Sequence, residues 1–319
     1  MAALQSRALG RTGVEVTELG VGGFIGGLTD EAATDSHRQA AAGAAVRRAI
    51  DLGVRYFDTS PAYGTAERYL GAALSSLTVR MRSTLTVSTK VGTHPDRPNA
   101  YSADDVLWCF AQSSKLLGAI DMVYVHDPTT DEHMDAILAP GGAFEALELL
   151  KREGRIHGFG LGVRRHRFLL QAIDSGRIDA ILPSYDFHPI RRSLGPVLDV
   201  AAAAGVAVVN GSPYQAGLLA GIDLDEAARR RPPNDADLVR ARHIVAWCSE
   251  RRVDVGAVAV QLSLREPRIT ATLVGPRTMG EVETGVAHAT DTVPAHIWGE
   301  LDDFLSQLQP PPAAGGEVD

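Results

Sequence analysis

An acid and a phenol lie close together in the stretch RYFDTSPAYG, residues 55–64. Asp58 closes a β-type run, and Tyr63 follows a short loop, Thr59-Ser60-Pro61-Ala62. Two later β-type runs each end on one more polar group: LTVSTKVG on Lys90 and DMVYVHD on His126. Buried strand ends are costly places for an acid and a hydroxyl without partners. Together the four side chains could run a proton relay. A free phenol titrates at about pH 10. A buried ammonium within a few ångströms favours phenolate and is expected to lower that value. Asp58 would keep Lys90 charged and aimed. Tyr63 could then take a proton from an alcohol, or give one to a carbonyl, near neutral pH.

The relay exists only if the strands ending in these groups lie side by side. The chain reads as eight strand-then-helix units, which fit a parallel sheet. Strands are expected at 18–24, 55–59, 85–91, 122–126, 157–163, 179–184, 206–212 and 270–276. Helices are expected at about 36–52, 66–75, 102–117 (capped by Ser102), 141–152, 165–174, 192–204, 236–251, 255–265 and 279–289. Eight units in 319 residues fit a closed (β/α)8 TIM barrel of the α/β class better than an open doubly wound sheet. No G-x-G-x-x-G follows an early strand, so the Rossmann fingerprint is missing. A hairpin at 7–17, turned at Thr12-Gly13, precedes the barrel, and an extra helix at about 294–308 follows it. Residues 1–309 are read as one domain, and the Pro/Gly-rich end at 310–319 as a disordered tail. Groups at the carboxyl ends of barrel strands share one mouth, where barrel enzymes do chemistry. Asp58, Lys90 and His126 end strands two, three and four, and Tyr63 lies just after strand two.

The net charge of −8, with both signs interspersed, argues against a nucleic-acid or anionic-membrane surface. Cys109 and Cys248 stand in apolar contexts beside Trp108 and Trp247 and read as core thiols. No metal-type spacing occurs, so no metal site is expected. No run of 18 apolar residues suggests a span, and the N-terminus lacks the apolar core of a signal peptide, which places the chain in the cytoplasm. His157, His188 and the basic run at 229–231 have plain structural or solvated readings.

FDTSPAYG, the STK at a strand end and VYVHDP together resemble the aldo-keto reductases. The likeness runs from LGRTG to LVGPRTMGEV, nearly the whole chain. HDP at 126–128, GLGV at 160–163 and GSPYQAGLLAG at 211–221 resemble the branch of aldose 1-dehydrogenases, L-fucose and L-galactose dehydrogenases and pyridoxal 4-dehydrogenase. The resemblance implies Tyr63 as general acid/base, Lys90 and Asp58 as its tuning pair, and His126 as the group that orients the substrate oxygen. It also implies a nicotinamide dinucleotide, NAD or NADP. The frequent use of NAD in the branch tips the balance against Arg277, which would suit a 2′-phosphate.

Around that cofactor the resemblance implies Gly23, Phe24 and Asp58, then Gly162 and Ser184, then Gly211, Ser212, Gly217 and Leu218 after strand seven. After strand eight it implies Gly275, Arg277, Thr278 and Glu281, with Thr278 capping the next helix and presenting amides to phosphate. The sequence departs from the family's pattern in several places. Gly162-Val163-Arg164 replaces a common Ser-Asn, Ser184 a common Gln, and Gly211 a Tyr that stacks on the nicotinamide. Phe24, Tyr63, His126, Phe187 and Tyr214 are expected around the substrate.

The expected reaction is oxidation of the anomeric carbon of an L-fucose-, L-galactose- or D-arabinose-like aldose to a lactone. NADPH-dependent reduction of small aldehydes or ketones is the alternative enzyme reading. A non-catalytic, cofactor-sensing subunit is the alternative of another class. A Schiff-base lyase on Lys90 would predict trapping by borohydride and no nicotinamide requirement. The expected partner is a small molecule, with neither nucleic acid nor membrane, and the chain is expected to be a monomer or a homo-oligomer.

Overall fold

Eight short runs close into a parallel barrel. The computed structural model describes residues 3–23, 34–230 and 234–308. The barrel strands are β1 (Leu19–Gly22), β2 (Tyr56–Asp58), β3 (Thr86–Val91), β4 (Met122–His126), β5 (Gly158–Gly162), β6 (Ala180–Ile181), β7 (Ala207–Gly211) and β8 (Ala271–Val274). Each pairs with the next in sequence, and β8 returns to pair with β1. The helices after them are α1 (Asp35–Asp51), α2 (Ala66–Ser75), α3 (Ala103–Leu117), α4 (Ala143–Arg152), α5 (His166–Asp174), α6 (Gly195–Ala204), α7 (Val255–Leu264) and α8 (Met279–Thr290). This is the (β/α)8 TIM barrel expected from the repeat.

Alternation of side chains along the strands builds two cores. Phe57, Val87, Val123, Val125 and Leu161 face outward and pack with the helices. Tyr56, Met122, Tyr124, Val209 and Leu273 form the separate cluster inside the barrel. Tyr56 fits there because β1 has no side chain at Gly20. A Cβ at Gly20 would stand 2.7 Å from Leu273 and 3.0 Å from Tyr56. The hairpin, Ser6–Ala8 with Glu15–Thr17, adds Leu9 and Val16 to the interior cluster.

Several local features differ from the reading of the sequence. The β6 ladder stops at Ile181, before Pro183, which has no N–H to donate. The loop after β3 folds a small hairpin, Thr93–His94 with Arg97–Pro98. A helix Asp131–Leu138, capped by Thr130, precedes α4. Helices Leu224–Arg230 and Asp235–Glu250 follow β7, the first in a stretch expected to be loop. Helix His296–Gln307 ends the described chain. The expected tail at 310–319 lies outside the described residues. Among the described residues no helix is long and apolar enough to cross a membrane.

Candidate active site

Alternation and register together bring the polar strand ends to one mouth. Gly22 on β1 stands opposite Asp58, Asp58 opposite Ser88 on β3, Lys90 opposite Tyr124 on β4, and His126 opposite Gly162 on β5. Phe57 and Val125 take the outward positions, which leaves Asp58 and His126 inward. Lys90 is buried, and its Nζ donates to Asp58 Oδ2 at 2.5 Å and to the Thr59 carbonyl at 2.8 Å. Ser88 Oγ donates to Asp58 Oδ1 at 2.6 Å. The Tyr56 hydroxyl lies 3.2 Å from Ser88 Oγ and 3.2 Å from the Tyr124 hydroxyl, so a polar column runs from the barrel interior up to Asp58.

Tyr63 completes the group from the β2 loop. Lys90 Nζ lies 4.8 Å from the centroid of the Tyr63 ring. The Tyr63 and His126 rings meet edge to face, 5.7 Å apart at 84°. The structure thus brings together all four residues singled out in the sequence.

Burial is the largest single effect on the Lys90 ammonium and acts against it, but Asp58, Tyr63 and Tyr56 together hold Lys90 above the ordinary lysine range. The Tyr63 phenol departs from expectation. Burial raises it above its ordinary value, and the opposing pull of Lys90 is the smaller effect. The reason is geometric: the lysine charge is bonded to Asp58 at 2.5 Å, and that carboxylate itself pushes the phenol up. Burial, reinforced by the Lys90 charge, holds His126 down at about 3. The imidazole is therefore neutral at any ordinary pH.

Its tautomer follows from its neighbours. Nδ1 lies 2.7 Å from Thr93 Oγ1 and 3.3 Å from Ser60 Oγ, hydroxyls that can donate to it. The ring proton is then on Nε2, which lies 3.4 Å from Asp127 Oδ2 without a hydrogen bond to it, so the N–H remains available to a bound oxygen. Tyr101 donates its hydroxyl to the His126 carbonyl at 2.9 Å and steadies the strand end.

A cavity of about 630 Å³ opens from these residues and extends past β7 and β8 along α8. That volume falls in the range of roughly 300–1,000 Å³ typical of small-molecule sites. Gly23, Gly162, Ser184, Gly211 and Ser212 line it, and so do Gly217, Gly275, Arg277 and Glu281. A Cβ at Gly211 would stand 3.2 Å from the Pro183 carbonyl and 3.3 Å from Ser184, filling part of the trough. The long, glycine-walled shape suits a dinucleotide laid across the barrel mouth.

Three expected residues are placed elsewhere. Phe187 packs in the apolar layer between sheet and helices, and its carbonyl accepts from Asn210. Leu218 belongs to the cluster under helices Asp235–Glu250 and His296–Gln307. Thr278 does not line the cavity; its hydroxyl caps α8 by accepting from the Glu281 N–H. Tyr214 lines the cavity, but at the α8 end, with its hydroxyl 2.8 Å from His288 Nδ1, away from the expected substrate wall. Phe24 lies outside the described residues.

The sequence reading passed over Asp127, Tyr185 and His288, all of which line the cavity. Asp127 and Tyr185 each directly follow a residue already chosen at a strand end, His126 and Ser184. That adjacency was the available signal. His288 gave none, because it reaches the cavity from the last turn of α8.

The family model described as Aldo/keto reductase family matches residues 18–305. The chain belongs to the aldo/keto reductase family. Like other members it is an oxidoreductase acting on CH–OH or carbonyl groups with a nicotinamide cofactor, NAD or NADP. This aldo/keto reductase is 30% identical to pyridoxal 4-dehydrogenase of Microbacterium luteolum, over 94% of this chain and 97% of the relative. It is 31% identical to L-galactose dehydrogenase of Arabidopsis thaliana, over 91% and 90% of the two chains. It is 29% identical to D-threo-aldose 1-dehydrogenase of a Pseudomonas species, over 96% and 98%. These relatives belong to the branch that the HDP, GLGV and GSPYQAGLLAG motifs resemble. A Pseudomonas aeruginosa crystal structure assigned as an aldo-keto reductase shares the fold, with a TM-score of 0.64 at 24% identity, covering 89% of this chain and 93% of that one.

Proposed function

We propose that this aldo/keto reductase oxidises the anomeric hydroxyl of a free aldose to a lactone, with Tyr63 as general base. The observation that carries the reading is the polar edge of the mouth. The Tyr63 phenol, the His126 N–H and the Asp127 carboxylate border one end of the cavity. A hydroxylated substrate can satisfy a donor and acceptors there that an apolar one would leave unpaired. The relatives named for L-galactose and D-threo-aldose support the same substrate class.

The dinucleotide, when bound, exchanges a hydride with the substrate carbon. Gly211, Ser212, Gly217, Gly275 and Glu281 would hold it along the trough. The protein's own residues handle the proton. His126 donates from Nε2 to the substrate oxygen and holds it against the phenol. Tyr63 Oη takes the hydroxyl proton during oxidation and returns it to a carbonyl oxygen during reduction. Lys90, kept charged by Asp58, stabilises the phenolate that oxidation requires.

The test is a panel of L-fucose, L-galactose, D-arabinose, pyridoxal and simple aldehydes, followed by nicotinamide absorbance with both cofactors in both directions. Oxidation of at least one aldose at a higher kcat/KM than reduction of any simple aldehyde is the expected result. Turnover confined to NADPH-dependent reduction of simple aldehydes would replace this reading with the alternative.

We further propose NAD as the preferred cofactor. Arg277, the residue suited to a 2′-phosphate, is already held. Its Nη2 donates to Glu281 Oε1 at 2.7 Å and its backbone N–H to Glu281 Oε2 at 2.7 Å. A 2′-phosphate beside the Glu281 carboxylate would meet like charge, whereas a ribose hydroxyl could donate to it. Glu281→Gln is expected to lower the NAD-over-NADP ratio of kcat/KM by about tenfold or more, given that like-charge juxtaposition costs several kcal/mol. An unchanged ratio would remove Glu281 from this role.

A further inference from the structure

The cavity contains three carboxylates, and two have set tasks. Asp58 is bonded to Lys90 and Ser88. Glu281, at the far end, is bonded to Arg277. The third, Asp127, stands at the reacting end, with its side chain 60% exposed. The backbone fixes where it stands. Pro128 follows and disfavours the right-handed helical region for residue 127. The observed φ is 43°, and the Asp127 N–H donates to the Gly162 carbonyl on the neighbouring strand at 2.8 Å. An aspartate adopts this backbone more readily than most residues, though still at some cost. The result is a carboxylate oxygen 3.4 Å from His126 Nε2, the donor proposed above for the substrate oxygen.

That spacing has a chemical counterpart. In a vicinal diol the two oxygens lie about one hydrogen-bond length apart. A substrate whose reacting oxygen sits on the His126 N–H and the Tyr63 phenol carries its neighbouring hydroxyl toward Asp127. His126 is neutral and the Lys90 charge is engaged by Asp58, so the fitting partner for the Asp127 carboxylate is an O–H donor.

We propose that Asp127 determines specificity by accepting a hydrogen bond from the hydroxyl on the carbon next to the reacting carbon. The inference rests on the aldose reading, in which that hydroxyl is the one at C2, but it extends to any α-hydroxy carbonyl at this site. A substrate without the hydroxyl leaves a partly desolvated carboxylate unpaired, the condition under which sites reject analogues most strongly.

The test compares substrate pairs that differ in that hydroxyl. In the oxidative arm kcat/KM is measured for D-arabinose and 2-deoxy-D-ribose with NAD. In the reductive arm it is measured for glycolaldehyde and acetaldehyde with both reduced dinucleotides. The wild type is expected to favour the hydroxylated member by roughly ten- to a hundredfold, as for a hydrogen bond to a charged acceptor. Asp127→Asn, which tolerates the positive φ but accepts more weakly, should reduce that ratio. Asp127→Gly, which relaxes the backbone and removes the acceptor, should bring it close to one. Dinucleotide binding by fluorescence titration checks that both variants are folded. A ratio unchanged from wild type in both variants overturns the proposal. So does an equal loss on both members of a pair, which would mean that Asp127 acts through His126. If no aldose is oxidised but glycolaldehyde is preferred through Asp127, the aldose reading fails while this inference stands. An enzyme inert in both arms overturns both.

Discussion

Tyr63→Phe is expected to lower kcat by about 10²- to 10⁴-fold in either direction, the usual contribution of a general acid or base. Dinucleotide binding, followed by fluorescence titration, should persist. The phenyl ring keeps its edge-to-face contact with His126 and its place beside the Lys90 ammonium. Only the hydroxyl is lost, and with it the site where the proton is held. A kcat within a few-fold of wild type would take Tyr63 out of the proposed relay.

The sign of the pH dependence follows from the two shifted groups. Oxidation needs the phenol deprotonated, and burial holds its pKa above the ordinary value. The oxidation rate should therefore climb from neutral into alkaline pH. Reduction needs the phenol protonated, so it should stay level through neutral pH and fall only in alkali. His126, held at about 3, contributes no limb between pH 5 and 8. In Tyr63→Phe the alkaline dependence should disappear from the residual rate.

The four-residue cluster was legible in the sequence because two simple periods specify it. Alternation along a strand decides that Asp58 and His126 face the same way as Tyr56 and Tyr124. The strand-helix repeat decides that these strand ends share a mouth. Residues placed by loops and helices were not legible in this way. Phe187 reads as a cavity wall until the chain turns after β6 and seats it behind the sheet. His288 becomes a cavity residue only through helix packing, with Nδ1 on Tyr214 at 2.8 Å and Nε2 on Asp254 at 3.1 Å. The direction of the Tyr63 shift was misread for a related reason. The sequence supplies a lysine beside a phenol, but the balance between burial and charge depends on how much of that lysine's field Asp58 cancels.

That same pair carries the second large effect. Lys90→Met should cost about 3–5 kcal/mol of stability, the usual consequence of removing one partner from a buried ion pair. Asp58 would then remain inside the barrel with Ser88 as its donor and no cation. Its carboxyl would titrate higher in the folded chain than in the unfolded one, so the folded state would bind the extra proton. The destabilisation should therefore be largest at neutral and alkaline pH and shrink as pH falls through the raised value. Chemical denaturation of the variant at pH 8 and pH 5 reads this difference, and equal stabilities at the two pH values would contradict a charged, orphaned Asp58. Turnover should fall more than about a hundredfold, because the phenolate loses its counter-charge. The double replacement Asp58→Asn with Lys90→Met separates the two roles of the pair. A neutral amide can accept from Ser88 and needs no ammonium, so most of the stability should return. Turnover should not return, since no charge then stands beside Tyr63. A double variant that regained both would mean that Lys90 is needed only to neutralise Asp58; one that regained stability alone assigns the lysine charge to the proton step.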